Sequence, residues 1–298
     1  MMLKLNKTVA IKTEHNMADN PMLETEAQII KELSGVRGIP QLHDYLNYKD
    51  FKVLSMPLYG FSLAHLKHYL GGKFSLWTTC MVGLKLIDRL KDVHNRGFIH
   101  RDIKPHNVVI GREDPTEIFL IDFGLAKQFV DPKTKLHIPL KTHPRVVGTA
   151  KYISLRCHYG YESSRRDDLE SLVYVLIYLA TGTLPWKHDG QVTRSKLEQI
   201  KQTKSIKASD ICAGLPREFH KMLRITRNLG FKEDPDYCEL KKLLRRVISK
   251  AKTKKADLQL DWVEKQELLP KKYGFSKSKK GGRPQSCKRV QEYPKLRL

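Results

Sequence analysis

Apolar residues recur at helical spacing in several stretches of the chain, and three of these are long enough to predict helices. In residues 23–33 and 78–96, every third or fourth position is apolar, and the second stretch stops at Gly97. Residues 172–180 are apolar on all sides, which predicts a helix buried from every direction. Residues 193–250 alternate charged and apolar positions and predict several shorter helices.

Strand patterns occur near the N-terminus and are scarce afterwards. Residues 3–13 alternate in character from Thr8, and residues 51–56 form a short apolar run before Pro57. The order of elements therefore predicts an α+β fold, with a small β-rich part first and a larger helical part after it.

Length and composition are those of a soluble globular protein of one or two domains. The chain has 298 residues, of which 40% are hydrophobic and 29% charged. No apolar run approaches the roughly 18 residues that a membrane helix needs, and residues 1–14 lack the apolar core of a secretory signal. The cysteines are scattered and form no C-x-x-C pair, which favours a reducing compartment, cytoplasmic or nuclear.

The chain is strongly basic, and its C-terminal tail accounts for less than half of the excess. The net charge is +23, and residues 249–298 hold 15 Lys/Arg and 5 Asp/Glu, so +10 lies there and +13 in residues 1–248. Such charge suits solubility, an acidic or phosphorylated protein partner, or nucleic acid. No basic motif interleaved with aromatics supports a specific nucleic-acid ligand. The tail, residues 263–298, is expected to be disordered and solvated, or to serve in docking or nuclear import.

Two polar motifs carry the candidate chemistry. Residues 100–107 read His-Arg-Asp-Ile-Lys-Pro-His-Asn, and Asp122-Phe123-Gly124 follows 20 residues after the first aspartate (122 − 102 = 20). These match the catalytic-loop and D-F-G patterns of protein kinases. Phosphoryl transfer needs a base, metal ligands and a cation near the γ-phosphate. Those roles are predicted in turn for Asp102, for Asn107 and Asp122 as Mg²⁺ ligands, and for Lys104.

A third motif, Val9-Ala10-Ile11-Lys12, matches the strand that carries the phosphate-binding lysine of kinases. Lys12 is predicted to contact the α- and β-phosphates and to pair with Glu26, with Glu24 as the second choice. The glycine-rich hairpin that should precede this lysine is absent, since the first glycine is Gly35. Either the true start lies upstream of Met1, or the protein handles nucleotide without that flap.

The adenine site is predicted at the turn after residues 51–56. The carbonyl of Pro57 and the N–H of Tyr59 would bind the ring, with Met56 as gatekeeper and Val109 as floor. Ala10 is assigned to the same nucleotide site. A plain turn after a strand is the alternative interpretation.

Longer segments give the chain a more specific resemblance. Residues 98–105, 121–127, 137–139, 148–152 and 164–171 are similar to the casein kinase 1 family, although Ser154-Leu155-Arg156 stands where that family carries Ser-Ile-Asn. The resemblance implies a bilobal protein-kinase-like fold, with a catalytic domain over residues 1–262 and the tail after it. The N-lobe would cover about residues 1–56 and be truncated, the hinge residues 57–60, and the C-lobe residues 61–262.

The resemblance also implies an activity. It would be a monomeric, ATP- and Mg²⁺-dependent Ser/Thr kinase acting on protein substrates with acidic or phosphorylated segments. By analogy with the basic cluster of the family, substrate phosphate would be bound by Arg165, Arg166, Lys141 and Arg145, for which solvated surface cations are the alternative. The other function to consider is a pseudokinase or scaffold that keeps the fold without the glycine-rich loop.

Overall fold

The computed structural model describes residues 8–142, 146–186, 193–250 and 259–270. A three-stranded sheet and one helix form the small N-terminal part, and the larger part that follows is mainly helical. This confirms the predicted α+β, two-lobed arrangement. Among the helices that the structure describes, none combines the length and the apolar composition needed to cross a bilayer.

The N-terminal sheet is antiparallel, with the strand order β1 (Val9–His15), β3 (Phe51–Pro57) and β2 (Asp44–Tyr48). In the β1–β3 register, Ala10 lies opposite Met56 and Lys12 opposite Leu54. Because side chains alternate along a strand, Ala10 and Lys12 share one face of the sheet. The elements of this lobe are β1 (Val9–His15), α1 (Leu23–Glu32), β2 (Asp44–Tyr48) and β3 (Phe51–Pro57).

The strand predicted over residues 3–13 is therefore found at Val9–His15, while residues 1–7 lie outside the described ranges. The helix predicted over residues 23–33 agrees with α1. Its apolar face, including Leu23 and Ile30, is buried against the sheet.

Helix α5 (Arg165–Thr181) is the central buried helix of the larger lobe. All of its residues from Arg166 to Ile177 are buried, as the apolar run predicts. The helix ends at Gly182, which adopts a left-handed conformation with φ 84° that favours glycine. Helix α3 (Leu76–Asn95) packs against α5 and leads into the segment that carries the candidate chemistry.

Short helices and two small β-ladders complete the larger lobe. The helices are α2 (Leu63–Tyr69), α3 (Leu76–Asn95), α4 (Leu155–His158), α6 (Arg194–Lys204), α7 (Ala208–Ile211), α8 (Arg217–Asn228), α9 (Tyr237–Lys250) and α10 (Asp261–Glu264). Strand β4 (Phe98–Ile99) pairs with β7 (Lys127–Gln128), and β5 (Val108–Ile110) pairs with β6 (Ile118–Leu120).

The segment at residues 259–270 closes the lobe. The Asp261 carboxylate accepts hydrogen bonds from the Ser75 N–H, the Ser75 hydroxyl and the Thr78 hydroxyl at 2.6, 2.6 and 2.8 Å. It thereby holds Ser75, the N-cap residue of α3, whose hydroxyl oxygen accepts the Thr78 N–H at 3.1 Å. Trp262 is fully buried, and Leu269 is also part of the core. Packing thus continues past the predicted domain boundary at residue 262. Most of the predicted tail, residues 271–298, lies outside the described residues.

Candidate active site

The candidate catalytic loop is fixed by one buried carboxylate from α5. Asp168 accepts the backbone N–H groups of His100 and Arg101 at 2.7 and 2.8 Å, and its Oδ2 lies 2.9 Å from His94 Nε2. Arg101 has φ 66°, a left-handed conformation that is uncommon outside glycine. Asp168 therefore holds an unfavourable backbone turn in place, directly before Asp102.

Three groups orient the Asp102 carboxylate. Lys104 Nζ donates to it at 2.5 Å and Asn107 Nδ2 at 3.1 Å, and Thr149 donates through its hydroxyl at 2.7 Å and its N–H at 3.1 Å. Asp102 is buried, with 7% of its surface exposed. A carboxylate held this way presents a fixed acceptor to a hydroxyl that enters the cleft.

Thr149 depends on the glycine before it. Gly148 has φ +100°, and a Cβ at this position would lie 2.4 Å from the carbonyl oxygen of Arg101. The close backbone approach brings Thr149 up to Asp102 and Lys104, and its hydroxyl lies 3.3 Å from Lys104 Nζ. Sequence reasoning singled out Gly148-Thr149-Ala150 only as a motif and assigned Thr149 no role.

Lys12, Glu26 and Asp122 meet between the lobes. Lys12 Nζ donates to Glu26 Oε2 at 2.6 Å and to Asp122 Oδ1 at 2.8 Å. Glu26 is 1% exposed, whereas Glu24 bonds Lys52 at the surface, so the structure brings the first-choice partner to Lys12. These residues and Asp102 line one cavity of about 260 Å³.

Burial and charge oppose each other in this cluster. Burial alone would raise the pKa of Asp122, but the charge and hydrogen bond of Lys12 lower it below its ordinary value. Burial alone would lower the pKa of Lys12, but Glu26 and Asp122 raise it. The pKa of Glu26 is raised, because burial outweighs the effect of Lys12. Lys12 and Asp122 are therefore ionised at neutral pH.

The donor set at this cleft fits Mg²⁺. Asp122 offers carboxylate oxygens, and both N–H donors of Asn107 are directed to the backbone and side chain of Asp102. The amide oxygen of Asn107 then remains as an oxygen ligand. The described residues hold no cluster of three or more metal-binding side chains. Mg²⁺ is commonly bound by one or two protein groups together with substrate phosphates and water.

The predicted hinge follows β3 directly. The N–H of Gly60 donates to the Ile110 carbonyl at 2.8 Å and ties this segment to β5. The Tyr59 ring packs on Phe119 with centroids 4.5 Å apart, and burial raises the pKa of Tyr59 to about 12. Its side chain is thus engaged in packing. Of the other adenine candidates, Val109 is buried in β5, and Met56 and Pro57 end β3 opposite Ala10 and Val9.

The structure corrects the phosphate-binding role predicted for Arg165 and Arg166. Arg166 is 6% exposed and donates to the Leu229 carbonyl at 3.0 Å. Arg165 binds Asp234 and donates to the Lys232 carbonyl at 2.7 Å. Both guanidinium groups at the start of α5 therefore hold the segment between α8 and α9, and they do not present a site to a substrate.

The other two predicted phosphate ligands are Lys141 and Arg145. Lys141 is exposed, and its backbone carbonyl accepts the N–H of Glu162 at 2.8 Å. Arg145 lies outside the described residues. The structure thus leaves Lys141 alone as a described, accessible member of the predicted set.

Glu14 is a further residue at the site that the sequence did not reveal. Its buried carboxylate accepts the N–H of Met22 at 2.8 Å and that of Leu23 at 3.2 Å, at the start of α1. It therefore caps the helix that carries Glu26. The two-residue spacing from Lys12 on β1 was available in the sequence, but nothing there placed the helix start against it.

Comparison with known proteins gives one consistent result. The protein kinase domain family matches residues 2–259. A casein kinase I homolog from Kluyveromyces lactis is 40% identical over 264 residues, which cover 87% of this chain and 49% of that protein. Casein kinase I homologs 3 and 1 from Schizosaccharomyces pombe are each 38% identical, cover 87% and 86% of this chain, and are themselves covered to 60% and 58%. The chain thus spans about half to three-fifths of these relatives.

Proposed function

This chain belongs to the casein kinase 1 family of protein kinases, and from that premise we propose that it transfers the γ-phosphate of ATP to Ser or Thr hydroxyls of protein substrates. The observation that carries the proposal is the single cavity lined by Lys12, Glu26, Asp102 and Asp122. A base, a phosphate-binding cation and a metal ligand are thereby collected within reach of one ligand.

In the proposed reaction Asp102 receives the proton of the attacking hydroxyl. Its carboxylate is held by Asn107, Lys104 and Thr149, so it needs little reorientation when a substrate binds. Lys104 lies 2.5 Å from Asp102 and would exchange this bond for the transferring phosphoryl group. Electrostatic stabilisation and positioning thus supply most of the rate enhancement, as in other phosphoryl transfers.

Nucleotide and metal would be held by the remaining residues of the cleft. Lys12, kept in place by Glu26, would bind the α- and β-phosphates. Asn107 and Asp122 would be the protein ligands of Mg²⁺, which neutralises phosphate charge when bound. Backbone groups of Pro57 and Tyr59 would bind the adenine ring beside Ala10, Met56 and Val109.

The substrates proposed are proteins with acidic or phosphorylated segments. Support comes from the +13 charge of residues 1–248, which favours anionic partners even without the basic tail. Lys141 is the described residue of the predicted patch that stays accessible. We also propose that the protein works in the cytoplasm or nucleus, since Cys80, Cys157 and Cys212 are buried and form no disulfide. A monomer is proposed on the resemblance alone.

The decisive experiment is transfer of labelled phosphate from ATP–Mg²⁺ to an acidic Ser-containing peptide. A matched peptide with the acidic residues replaced by lysine tests the substrate class. Asp102→Asn is expected to abolish transfer while ATP binding persists. Transfer that is unchanged in this variant would refute the role of Asp102, and tight ATP binding without transfer in the unmodified protein would instead favour a pseudokinase.

A further inference from the structure

Lys204, the last residue of α6, is a fully buried lysine, with 0% of its surface exposed. Its Nζ donates to the carbonyl oxygens of Ala150 at 2.9 Å and Ile153 at 2.7 Å, and it lies 3.0 Å from His158 Nε2. Burying an amine is costly unless its hydrogen-bonding capacity is used. This lysine is thus committed to one short segment of the chain.

The surroundings of Lys204 keep water away from the ammonium group. The rings of Tyr174 and Trp186 each lie 5.0 Å from Nζ. Arg227 donates to the Lys204 carbonyl at 2.6 Å and to the Tyr174 hydroxyl at 2.8 Å, which fixes the end of α6. In such dry surroundings each hydrogen bond to Ala150 and Ile153 is stronger than it would be at the surface.

The segment that Lys204 holds is anchored at neighbouring positions too. Trp186 Nε1 donates to the Lys151 carbonyl at 2.8 Å, and Glu170 Oε1 accepts the N–H of Leu155 at 2.9 Å. These anchors come from α5 and from the chain just after it. Lys204 connects the same segment to α6. It binds the carbonyls of Ala150 and Ile153, which lie on either side of the Lys151 carbonyl in the sequence.

The residue directly before this segment contacts the carboxylate of Asp102. Thr149 directly precedes Ala150, and its hydroxyl and N–H bind Asp102 at 2.7 and 3.1 Å. A shift of the Ala150 carbonyl would therefore move Thr149 and, with it, two of the donors that orient Asp102. A protein substrate whose hydroxyl reaches Asp102 must also pass close to this backbone.

We propose that Lys204 is a positioning residue for phosphoryl transfer to protein substrates. It fixes the backbone of Ala150–Ile153 through hydrogen bonds from the protein interior and, through Thr149, sets the orientation of Asp102. The inference rests on the proposed kinase function. It adds a residue that contacts neither nucleotide nor substrate and that lies 102 positions along the chain from Asp102 (204 − 102 = 102).

The test compares Lys204→Met with Lys201→Met. Both variants replace a lysine of α6 by methionine. Lys201 pairs with Glu198 and lies over the ring of Tyr159, and among the described residues it makes no hydrogen bond to the Ala150–Ile153 backbone. In Lys204→Met the two carbonyls lose their buried donor, so we expect kcat/KM for the peptide to fall about tenfold or more. The Kd for ATP is expected to stay within about twofold, because Lys12 and Asp122 are untouched. For Lys201→Met, both the peptide kcat/KM and the Kd for ATP should equal those of the unmodified protein.

Hydrogen exchange gives a second readout that needs no enzyme activity. In the folded Lys204→Met protein, exchange of the amides in residues 150–158 should accelerate, while amides in α8 and α9 stay protected. Unchanged exchange and unchanged kcat/KM in a folded variant would overturn the proposal. If the unmodified protein transfers no phosphate, the kinase function fails, while faster exchange at residues 150–158 would still support the structural link.

If Lys204→Met does not fold, Trp186→Phe replaces it. This change removes the N–H that binds the Lys151 carbonyl, together with part of the indole ring, and keeps an aromatic ring at the position. A local rise in exchange at residues 150–158, with a fall in peptide kcat/KM but not in ATP affinity, would support the positioning role of this segment. Unchanged exchange at residues 150–158 together with an unchanged peptide kcat/KM would contradict the positioning role.

Discussion

Lys12 and Glu14 lie two positions apart on β1, and each binds the same helix through a different contact. Lys12 donates to the Glu26 carboxylate at 2.6 Å, and Glu14 accepts the N–H of Met22 at 2.8 Å. One strand thus fixes both the start of α1 and the side chain one turn further on. The position of α1, and with it the Lys12–Glu26 pair, is set by two independent contacts.

Glu14→Ala is expected to loosen this arrangement from the N-terminal side. Loss of the cap should lower the free energy of unfolding by about 1 kcal/mol. It should also weaken ATP binding, because Glu26 would no longer be held opposite Lys12. Chemical denaturation and ATP titration measure the two effects. Glu24→Ala, which removes an exposed carboxylate from the same helix, is the control and should leave ATP affinity unchanged.

Glu26→Gln should reduce phosphate transfer much more than Glu24→Gln. Glu26 forms a charge-assisted bond with Lys12, while Glu24 pairs with Lys52 at the surface. Removing the charge is expected to lower kcat/KM for ATP on the order of tenfold to a hundredfold. Steady-state kinetics at saturating peptide would measure it. Equal effects of the two substitutions would show that Lys12 has a different partner.

Gly148→Ala should disturb the site through the backbone. A Cβ there would collide with the Arg101 carbonyl, whereas at Gly214, with φ +77°, nothing lies within 4 Å of the added atom. Gly214→Ala is expected to lose about 1–2 kcal/mol of stability, the usual cost of a left-handed residue. Gly148→Ala should lose more and should also lower transfer, since Thr149 would move away from Asp102. Thermal melts measure the stability of the two variants, and steady-state kinetics measure their phosphate transfer.

Asp167 gives a prediction about pH. Burial raises its pKa from 3.8 to about 6, although Ser154 and the Ser164 N–H partly offset this through hydrogen bonds. Between these values the folded protein holds a proton that the unfolded chain has released. The contribution of Asp167 to stability is therefore lost as pH rises through this window, on the order of 1.4 kcal/mol per pKa unit.

Asp167→Asn tests that assignment. In the folded protein the Ser154 hydroxyl and the Ser164 N–H both donate to the Asp167 carboxyl. The asparagine amide keeps an oxygen acceptor at this position and carries no charge to desolvate. We expect the difference in unfolding free energy between the variant and the unmodified protein to grow in favour of the variant from pH 4 to pH 6. Urea denaturation across this range measures it. Asp210→Asn, at an exposed aspartate, should show no such trend, and a flat difference for Asp167→Asn would contradict the raised pKa.

Arg166→Met should act on stability and not on substrate choice. Its guanidinium is buried against the Leu229 carbonyl, so its loss leaves a buried acceptor unpaired at a cost of about 1–3 kcal/mol. The ratio of kcat/KM for acidic and neutral peptides should stay unchanged in the folded fraction. Lys141→Met, at an exposed position, should instead lower that ratio. A reversed result would restore Arg166 to the phosphate-binding set.

The sequence predicted those parts of the site whose chemistry is written in short motifs. Asp102, Asn107 and Asp122 lie in such motifs, and Glu26 was the first choice, ahead of Glu24, on a helix that the spacing of apolar residues predicted. The fold class followed equally from the order of strand and helix patterns. Each of these signals is local, so a single chain is enough to read it.

The sequence could not reveal contacts made between distant segments. Thr149 binds a carboxylate 47 residues away, and Lys204 binds a carbonyl 54 residues away. No periodicity marks a buried lysine, and its charge makes it resemble a surface residue. The phosphate-binding role predicted for Arg165 and Arg166 was wrong for a related reason. The direction of a side chain at the start of a helix depends on the distant segments that pack there.

Asp261 binds Ser75, the N-cap residue of α3, from a position 186 residues further along the chain. During translation, the helix that leads into the catalytic segment would leave the ribosome long before the carboxylate that holds its N-cap. The larger lobe cannot be completed until nearly all of the described chain has been synthesised, so this contact can form only at a late stage of synthesis.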